Sequence, residues 1–339
     1  MALPYKKSGT LCFFLILLTF SLRLVTTSAE LQRFEHPTKE DGSINFLVLG
    51  DWGRKGDFNQ SEVAYHMGKI GEKLDIDFVV STGDNFYDNG LSSENDTAFA
   101  ESFTEIYTQN SLQKQWYNIL GNHDYRGDVE AQLSPLLRKI DSRWLCLRSF
   151  LVNAGELAEI LFVDTTPFVD MYFTNPEANL TYDWRGMIPS REAYIETLLK
   201  DVELALKTSS AKWKIVVGHH AIRSVAIHGD TEELVEHLLP ILEAHDVDFY
   251  MNGHDHCLQH IRDNIESRSV QFLTSGAGSK AWRGDTKENG EERLKKQGQV
   301  VDFFYDGQGF MSVQLNRTQA EIAFYDVFGN VLHTWGASN

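Results

Sequence analysis

The chain has 339 residues, 42% of them hydrophobic, and a formal net charge of −17 at pH 7. That apolar content supports a substantial core. The acidic surface argues against nucleic acid and anionic membranes as partners, and a phosphate ester would need strong local positive charge to approach it.

Lys6 and Lys7 precede an apolar run from Leu11 to Phe20, and Thr27-Ser28-Ala29 follows. This pattern predicts a secretory signal peptide over residues 1–29, removed after about Ala29. The apolar run is short of the roughly 20 residues of a membrane span, and Arg23 interrupts its extension. Cleavage leaves 28 basic against 48 acidic residues, a net of −20. Residues 30–339 are expected to form a single domain, monomeric, secreted to the extracellular space or cell wall, or delivered to a vacuole. Sequons at Asn59, Asn95, Asn179 and Asn316 suit N-glycosylation on that route. Cys12 leaves with the leader, while Cys146 and Cys257 either pair or remain buried thiols.

The mature chain reads first as strands alternating with helices. Ser43 to Gly50 is an expected strand running into Gly50-Asp51-Trp52-Gly53, and Ser61 to Leu74 an amphipathic helix. Asp77 to Ser81 leads as a strand into Gly83-Asp84-Asn85-Phe86-Tyr87, and Ala98 to Tyr107 reads as a short helix. Trp116 to Leu120, a weaker strand pattern, precedes Gly121-Asn122-His123-Asp124. A strand over Glu159 to Asp164 and a long helix over Ser190 to Lys207 follow. Trp213 to Val217 runs into Gly218-His219, Thr231 to Ala244 reads as one helix, and Asp248 to Met251 leads to Gly253-His254-Asp255-His256. Beyond that, Ser269–Thr274, Val301–Tyr305, Phe310–Leu315, Ala320–Tyr325 and Val331–Trp335 all read as strands. The charged stretch Asp285 to Gln299 reads as an exposed loop. The expected fold is an α/β sandwich with two sheets.

The five Gly-containing segments carry the chemistry. Asp, Asn, His and Tyr arriving from five strand ends can converge only if a sheet assembles them, and such a donor set suits iron, zinc or manganese. His254 and His256 would share a face on a strand, but in a Gly-led loop they reach two different metals. Tyr87 either packs in its loop or binds a trivalent iron, because a phenol is a poor ligand for a divalent ion at acid pH.

Taken in order, the five segments resemble those of the purple acid phosphatases within the metallophosphoesterase superfamily. The similarity runs from about Asn45 to about Gly278 and is nearest the small plant-type members. The wider superfamily has Asp-x-His in its first motif; here Gly53 replaces that His and Tyr87 appears in the second motif. The resemblance implies a four-layer α/β/β/α sandwich with two mixed β-sheets. It implies Fe(III) held by Asp51, Asp84, Tyr87 and His256, and a divalent Fe, Zn or Mn held by Asp84, Asn122, His219 and His254, with Asp84 bridging. His123 and His228 would act near the phosphate, His228 as the acid for the leaving group. His220 stands where the small animal enzymes carry Tyr, so a substrate role is not assigned to it. The implied activity is acid hydrolysis of small phosphate monoesters, with metal-bound hydroxide as nucleophile. Peroxide chemistry at a redox-active pair, phosphodiester or nucleotide hydrolysis, and metal binding without turnover remain as rival readings.

Overall fold

The computed structural model describes Met1 and residues 31–174, 180–264, 269–284 and 286–338. The expected signal peptide and the Asn179 sequon lie outside the described residues.

The strands are, in chain order, β1 (Gln32–Glu35), β2 (Ile44–Leu49), β3 (Phe78–Ser81), β4 (Gln115–Asn118), β5 (Trp144–Cys146), β6 (Phe150–Ala154), β7 (Ala158–Phe162), β8 (Trp213–Val217), β9 (Phe249–Asn252), β10 (Leu258–Asp263), β11 (Gln271–Ser275), β12 (Gln299–Tyr305), β13 (Gly309–Leu315), β14 (Gln319–Asp326) and β15 (Val331–Ser338). The helices are α1 (Gln60–Leu74), α2 (Val129–Leu133), α3 (Pro135–Ile140), α4 (Met171–Thr174), α5 (Arg191–Thr208), α6 (Glu232–His237), α7 (Leu239–Ala244) and α8 (Gly290–Lys296). One mixed sheet has the order β1-β6-β7-β8-β9-β11-β10-β12, the other β15-β14-β13-β2-β3-β4-β5.

Side-chain alternation explains the layering. In β2, Phe46 and Val48 enter the core between the two sheets, while Leu47 and Leu49 enter the core shared with α1. A strand buried on both faces needs an unbroken apolar run, which is what INFLVL provides. The other sheet does the same: Ile215 and Val217 of β8 face the inter-sheet core, and Val216 faces the layer of α5, α6 and α7. Helices therefore cover both outer faces, giving the expected four-layer α/β/β/α sandwich.

The central strands β2, β3 and β4 run parallel, as do β8 and β9. Their carboxyl ends deliver the five Gly-containing segments to one place between the sheets.

Three expectations need correction or refinement. The helix expected over Thr231 to Ala244 is two, α6 and α7, because Pro240 in the first turn of α7 has no N–H to continue α6. The short helix expected over Ala98 to Tyr107 is present, but from Ala100 to Thr104 it is wound as a π-helix. The expected loop at Asp285 to Gln299 contains α8, whose Leu294 is fully buried against the α5–α7 layer. Its charges hid one apolar anchor in a seven-residue helix. Cys146 and Cys257 are both buried and free, so of the two alternatives the thiols stand.

Candidate metal centre

Asp51, Asp84 and His254 each occupy the left-handed backbone region, with φ of 60°, 51° and 68°. Non-glycine residues rarely adopt it, and such strain concentrates at functional sites.

The Tyr87 hydroxyl lies 2.8 Å from Asp51 Oδ1, 2.8 Å from Asp84 Oδ2 and 3.0 Å from His256 Nε2. His256 Nδ1 donates to the Lys280 carbonyl at 2.6 Å, so Nε2 presents a lone pair. One phenolic proton thus faces three acceptors. Beside this group, Asn122 Oδ1 lies 3.1 Å from His219 Nε2 and 3.0 Å from His254 Nδ1. His219 Nδ1 donates to the Thr82 carbonyl at 2.9 Å, so its Nε2 also carries a lone pair. Asp84 joins the two groups. Its Oδ2 belongs to the first, while its Oδ1 lies 3.5 Å from His219 Nε2 and accepts from the His123 backbone N–H at 2.8 Å.

All seven ligands expected from the resemblance therefore meet in two adjoining clusters that share Asp84. Their donor atoms face one another with too few protons between them, which is an arrangement that cations relieve. Two hard cations fit this mixed set of carboxylate, phenol, amide and imidazole.

The carboxyls show the same strain. Burial pushes Asp51 up to about 8, with the Asp84 charge adding to the rise and His219 opposing it. Burial works the same way on Asp84, but His219, His123 and hydrogen bonds outweigh it and hold this carboxyl well below its ordinary range. Side by side, the two act as a pair that retains one proton. Burial raises the Tyr87 phenol, and the charges on Asp51 and Asp84 raise it further.

His123 and His228 flank the clusters. His123 Nδ1 contacts the Asp88 carbonyl at 2.5 Å, and its Nε2 is 4.0 Å from Asp84 Oδ2. The His228 ring stacks on His254 with centroids 4.0 Å apart, and Nδ1 lies 2.8 Å from Asp255 Oδ1. Burial disfavours its charged form, but the Asp255 hydrogen bond and the nearby carboxylates prevail and raise its pKa. His220 is buried close to His219 and His254. Thr165 Oγ1 occupies its Nδ1 at 3.0 Å and Tyr172 OH its Nε2 at 2.9 Å, so neither nitrogen is available to a cation.

Several contributors were not assigned from the sequence. Asp255 sits between two expected ligands and holds His228. Asp124 ties two segments together, accepting from the N–H groups of Gly121, Asn85 and Phe86. Trp282 stacks on His256 at 4.0 Å, and Arg54 and Arg126 lie against Tyr87 and His123. Only Asp124 and Asp255 had a signal, by lying inside the Gly-containing segments. Gly276 and Gly278 pack against Asp255 and Gly50 with no room for a side chain, and Ser279 Oγ donates to the Asp51 carbonyl at 2.6 Å.

Two sheets whose strand ends bring these donors together, with the profile of the calcineurin-like phosphoesterase family matching residues 44–258, define the class: a calcineurin-like phosphoesterase. Purple acid phosphatase 17 of Arabidopsis thaliana is 61% identical over 98% of this chain and 95% of its own. Human tartrate-resistant acid phosphatase type 5 is 30% identical over 74% of this chain and 78% of its own. Among solved structures, GAP50, the anchor in the inner membrane complex of Plasmodium, aligns with a TM-score of 0.68 at 24% identity, over 87% of this chain and 89% of its own. That likeness speaks for the fold alone. The chain belongs to the purple acid phosphatases. It is a hydrolase of small phosphate monoesters that works at a dinuclear metal centre.

Proposed function

We propose that this centre pairs Fe(III) with divalent iron, zinc or manganese. Asp51, Asp84, Tyr87 and His256 surround the ferric ion, and Asp84, Asn122, His219 and His254 the divalent one. The observation that carries this is the Tyr87 hydroxyl within 3.0 Å of two carboxylates and an imidazole lone pair. Only a strongly charged cation ionises a phenol so placed at acid pH.

When bound, the two cations supply Lewis acidity to the phosphoryl oxygens and lower the pKa of water. His123, anchored through Asp88 and Asp84, presents its Nε2 to the phosphoryl group. His228 carries a proton at acid pH and gives it to the leaving alkoxide as the P–O bond breaks. Asp255 fixes which His228 nitrogen faces inward and favours the protonated ring.

On the same reading, residues 1–29 are a secretory leader and residues 30–339 one catalytic domain, monomeric and exported. Asn59 and Asn95 are exposed, which suits glycans there, as proposed also at Asn179 and Asn316. Among the described residues no helix is long and apolar enough to cross a membrane.

The test is to purify the glycosylated protein, record its visible spectrum, quantify its metals and assay p-nitrophenyl phosphate across pH. The expected result is a purple protein with two metal ions per chain, at least one of them iron, active at acid pH. A colourless, fully active protein holding two divalent ions overturns the ferric assignment.

A further inference from the structure

Arg126 ends the 3-10 turn Asp124–Arg126 that follows Asn122 and His123. Its Nη1 lies 3.1 and 3.2 Å from the two ring nitrogens of His123, which places the guanidinium one imidazole away from the shared carboxylate of Asp84. The ring of Tyr182 lies 5.9 Å from the guanidinium carbon. Tyr182 is itself stacked between Tyr172 and Trp184, with centroids 5.1 and 5.2 Å away.

The arginines around it are neutralised. Arg54 pairs with Asp88, Arg148 with Glu130, and Arg185 with both Asp128 and Asp183. Among the described residues Arg126 has no carboxylate partner, and its buried Nε has no hydrogen-bond partner. In a chain of net charge −17, a partly buried guanidinium with no carboxylate partner among the described residues, next to the site, is suited to an anionic group on a substrate.

We infer that Arg126 is a specificity residue that binds a second phosphoryl group on the substrate. The inference rests on the proposed function, in which the scissile phosphoryl lies on the metal cluster between His123 and His228. A phosphoanhydride carries its second phosphoryl one bridging oxygen further from the cluster, on this proposal at the guanidinium that lies against the His123 ring. Hydrolysis is balanced by water alone: its oxygen bonds to the seated phosphorus, the bridging P–O bond breaks, and the second phosphate leaves with the bridging oxygen. Diphosphates, whether inorganic pyrophosphate or a nucleoside diphosphate, are the class so recognised. A monoester of a neutral alcohol leaves Arg126 unused.

The rival explanation is that Arg126 acts only through His123, whose charged form it disfavours. The experiment compares metal-loaded wild type, Arg126→Gln and Arg126→Lys on inorganic pyrophosphate, ADP and p-nitrophenyl phosphate. The quantity read is the ratio of kcat/KM for each diphosphate to that for p-nitrophenyl phosphate. It is expected to fall about tenfold in Arg126→Gln, chiefly through KM, and to fall less in Arg126→Lys, which keeps the charge but loses the two-pronged geometry. A fall for ADP but not pyrophosphate, or the reverse, identifies which diphosphate the site serves. A ratio that stays within twofold of wild type in both variants overturns the inference, however far the absolute rates move, because an effect through His123 touches all substrates alike. If the glutamine variant does not fold, the lysine variant alone decides by the same criterion. Wild type that hydrolyses none of the three refutes the phosphatase reading instead.

Discussion

The guanidinium carbon of Arg54 lies 3.7 Å from the centroid of the Tyr87 ring, held there by an Nη1 contact of 2.9 Å to Asp88. A cation against the ring favours the phenolate over the phenol. It therefore opposes the burial and the neighbouring carboxylates that keep Tyr87 protonated without metal. With iron bound, Arg54→Gln is expected to move the visible band to longer wavelength, since a less stabilised phenolate gives up its electron more readily. Tyr87→Phe is expected to lose the colour altogether. Visible spectra at matched iron content check both.

The Asp51 carboxyl makes metal binding a proton-releasing event. In the metal-free fold its pKa is raised to about 8, so the group holds a proton at pH 6 and loses it when a cation arrives. The Tyr87 proton leaves as well. Calorimetry at pH 6 in buffers of different ionisation enthalpy is expected to report one to two protons released per chain loaded. The stability of the metal-free protein follows the same sign. A carboxyl whose folded pKa lies above its unfolded value of 3.8 favours the fold below that value. That contribution is lost as pH rises through about 8. The Tm of the chelated protein should therefore fall between pH 6 and 9, more steeply than that of the loaded one.

His228 and Asp255 are expected to separate substrates by leaving group. An alkoxide needs a proton and p-nitrophenolate hardly does. His228→Ala should lower kcat for an alkyl phosphate by about a hundredfold or more, yet cost p-nitrophenyl phosphate less than tenfold. Asp255→Asn removes the main opponent of burial at His228. In the metal-free protein the His228 pKa, followed by NMR titration, should drop below its wild-type value.

The loop bearing His228 is clamped by α8. Arg293 meets both oxygens of the buried Asp230, with Nη2 to Oδ1 at 2.9 Å, and Arg223 reaches Oδ2 at 2.9 Å. Lys287 Nζ donates to the His228 carbonyl at 3.1 Å. Arg293→Ala should destabilise the fold by about 1–3 kcal/mol. It should also lower kcat for alkyl phosphates several-fold with metal content unchanged. Urea denaturation and kinetics on both substrate types check this.

Gly53 has no room for a side chain, because a Cβ there would overlap the Asn85 carbonyl carbon and oxygen. The segment after β2 lies flat on the one that carries Tyr87, and the Tyr87 N–H donates to the Gly53 carbonyl at 2.9 Å. Gly53→Ala is expected to cost about 3 kcal/mol or more and to release metal. A His here would displace the Tyr87 loop rather than add a ligand. Thermal denaturation and metal analysis of Gly53→Ala provide the check.

The sequence by itself determined the sheets and the five donor segments. Doubly buried strands such as INFLVL must be continuously apolar, and a chain that turns sharply after them needs Gly, so both leave local marks. The meeting of Asp51, Asp84, Asn122, His219 and His254 at parallel strand ends was legible for the same reason. What tertiary structure decided is what touches those donors from elsewhere. Arg54 and Trp282 carry no spacing that announces a site, because their partners Tyr87 and His256 lie 33 and 26 residues away. Arg126 is near His123 in sequence, but only the fold turns its guanidinium onto that ring. The α8 helix was hidden because a short, charged segment anchored by Leu294 alone has no periodicity to read. The exclusion of His220 also needed the fold: Thr165 and Tyr172, 55 and 48 residues away, occupy both its nitrogens. Hydrogen-bond saturation is a property of packing in space, and no local pattern encodes it.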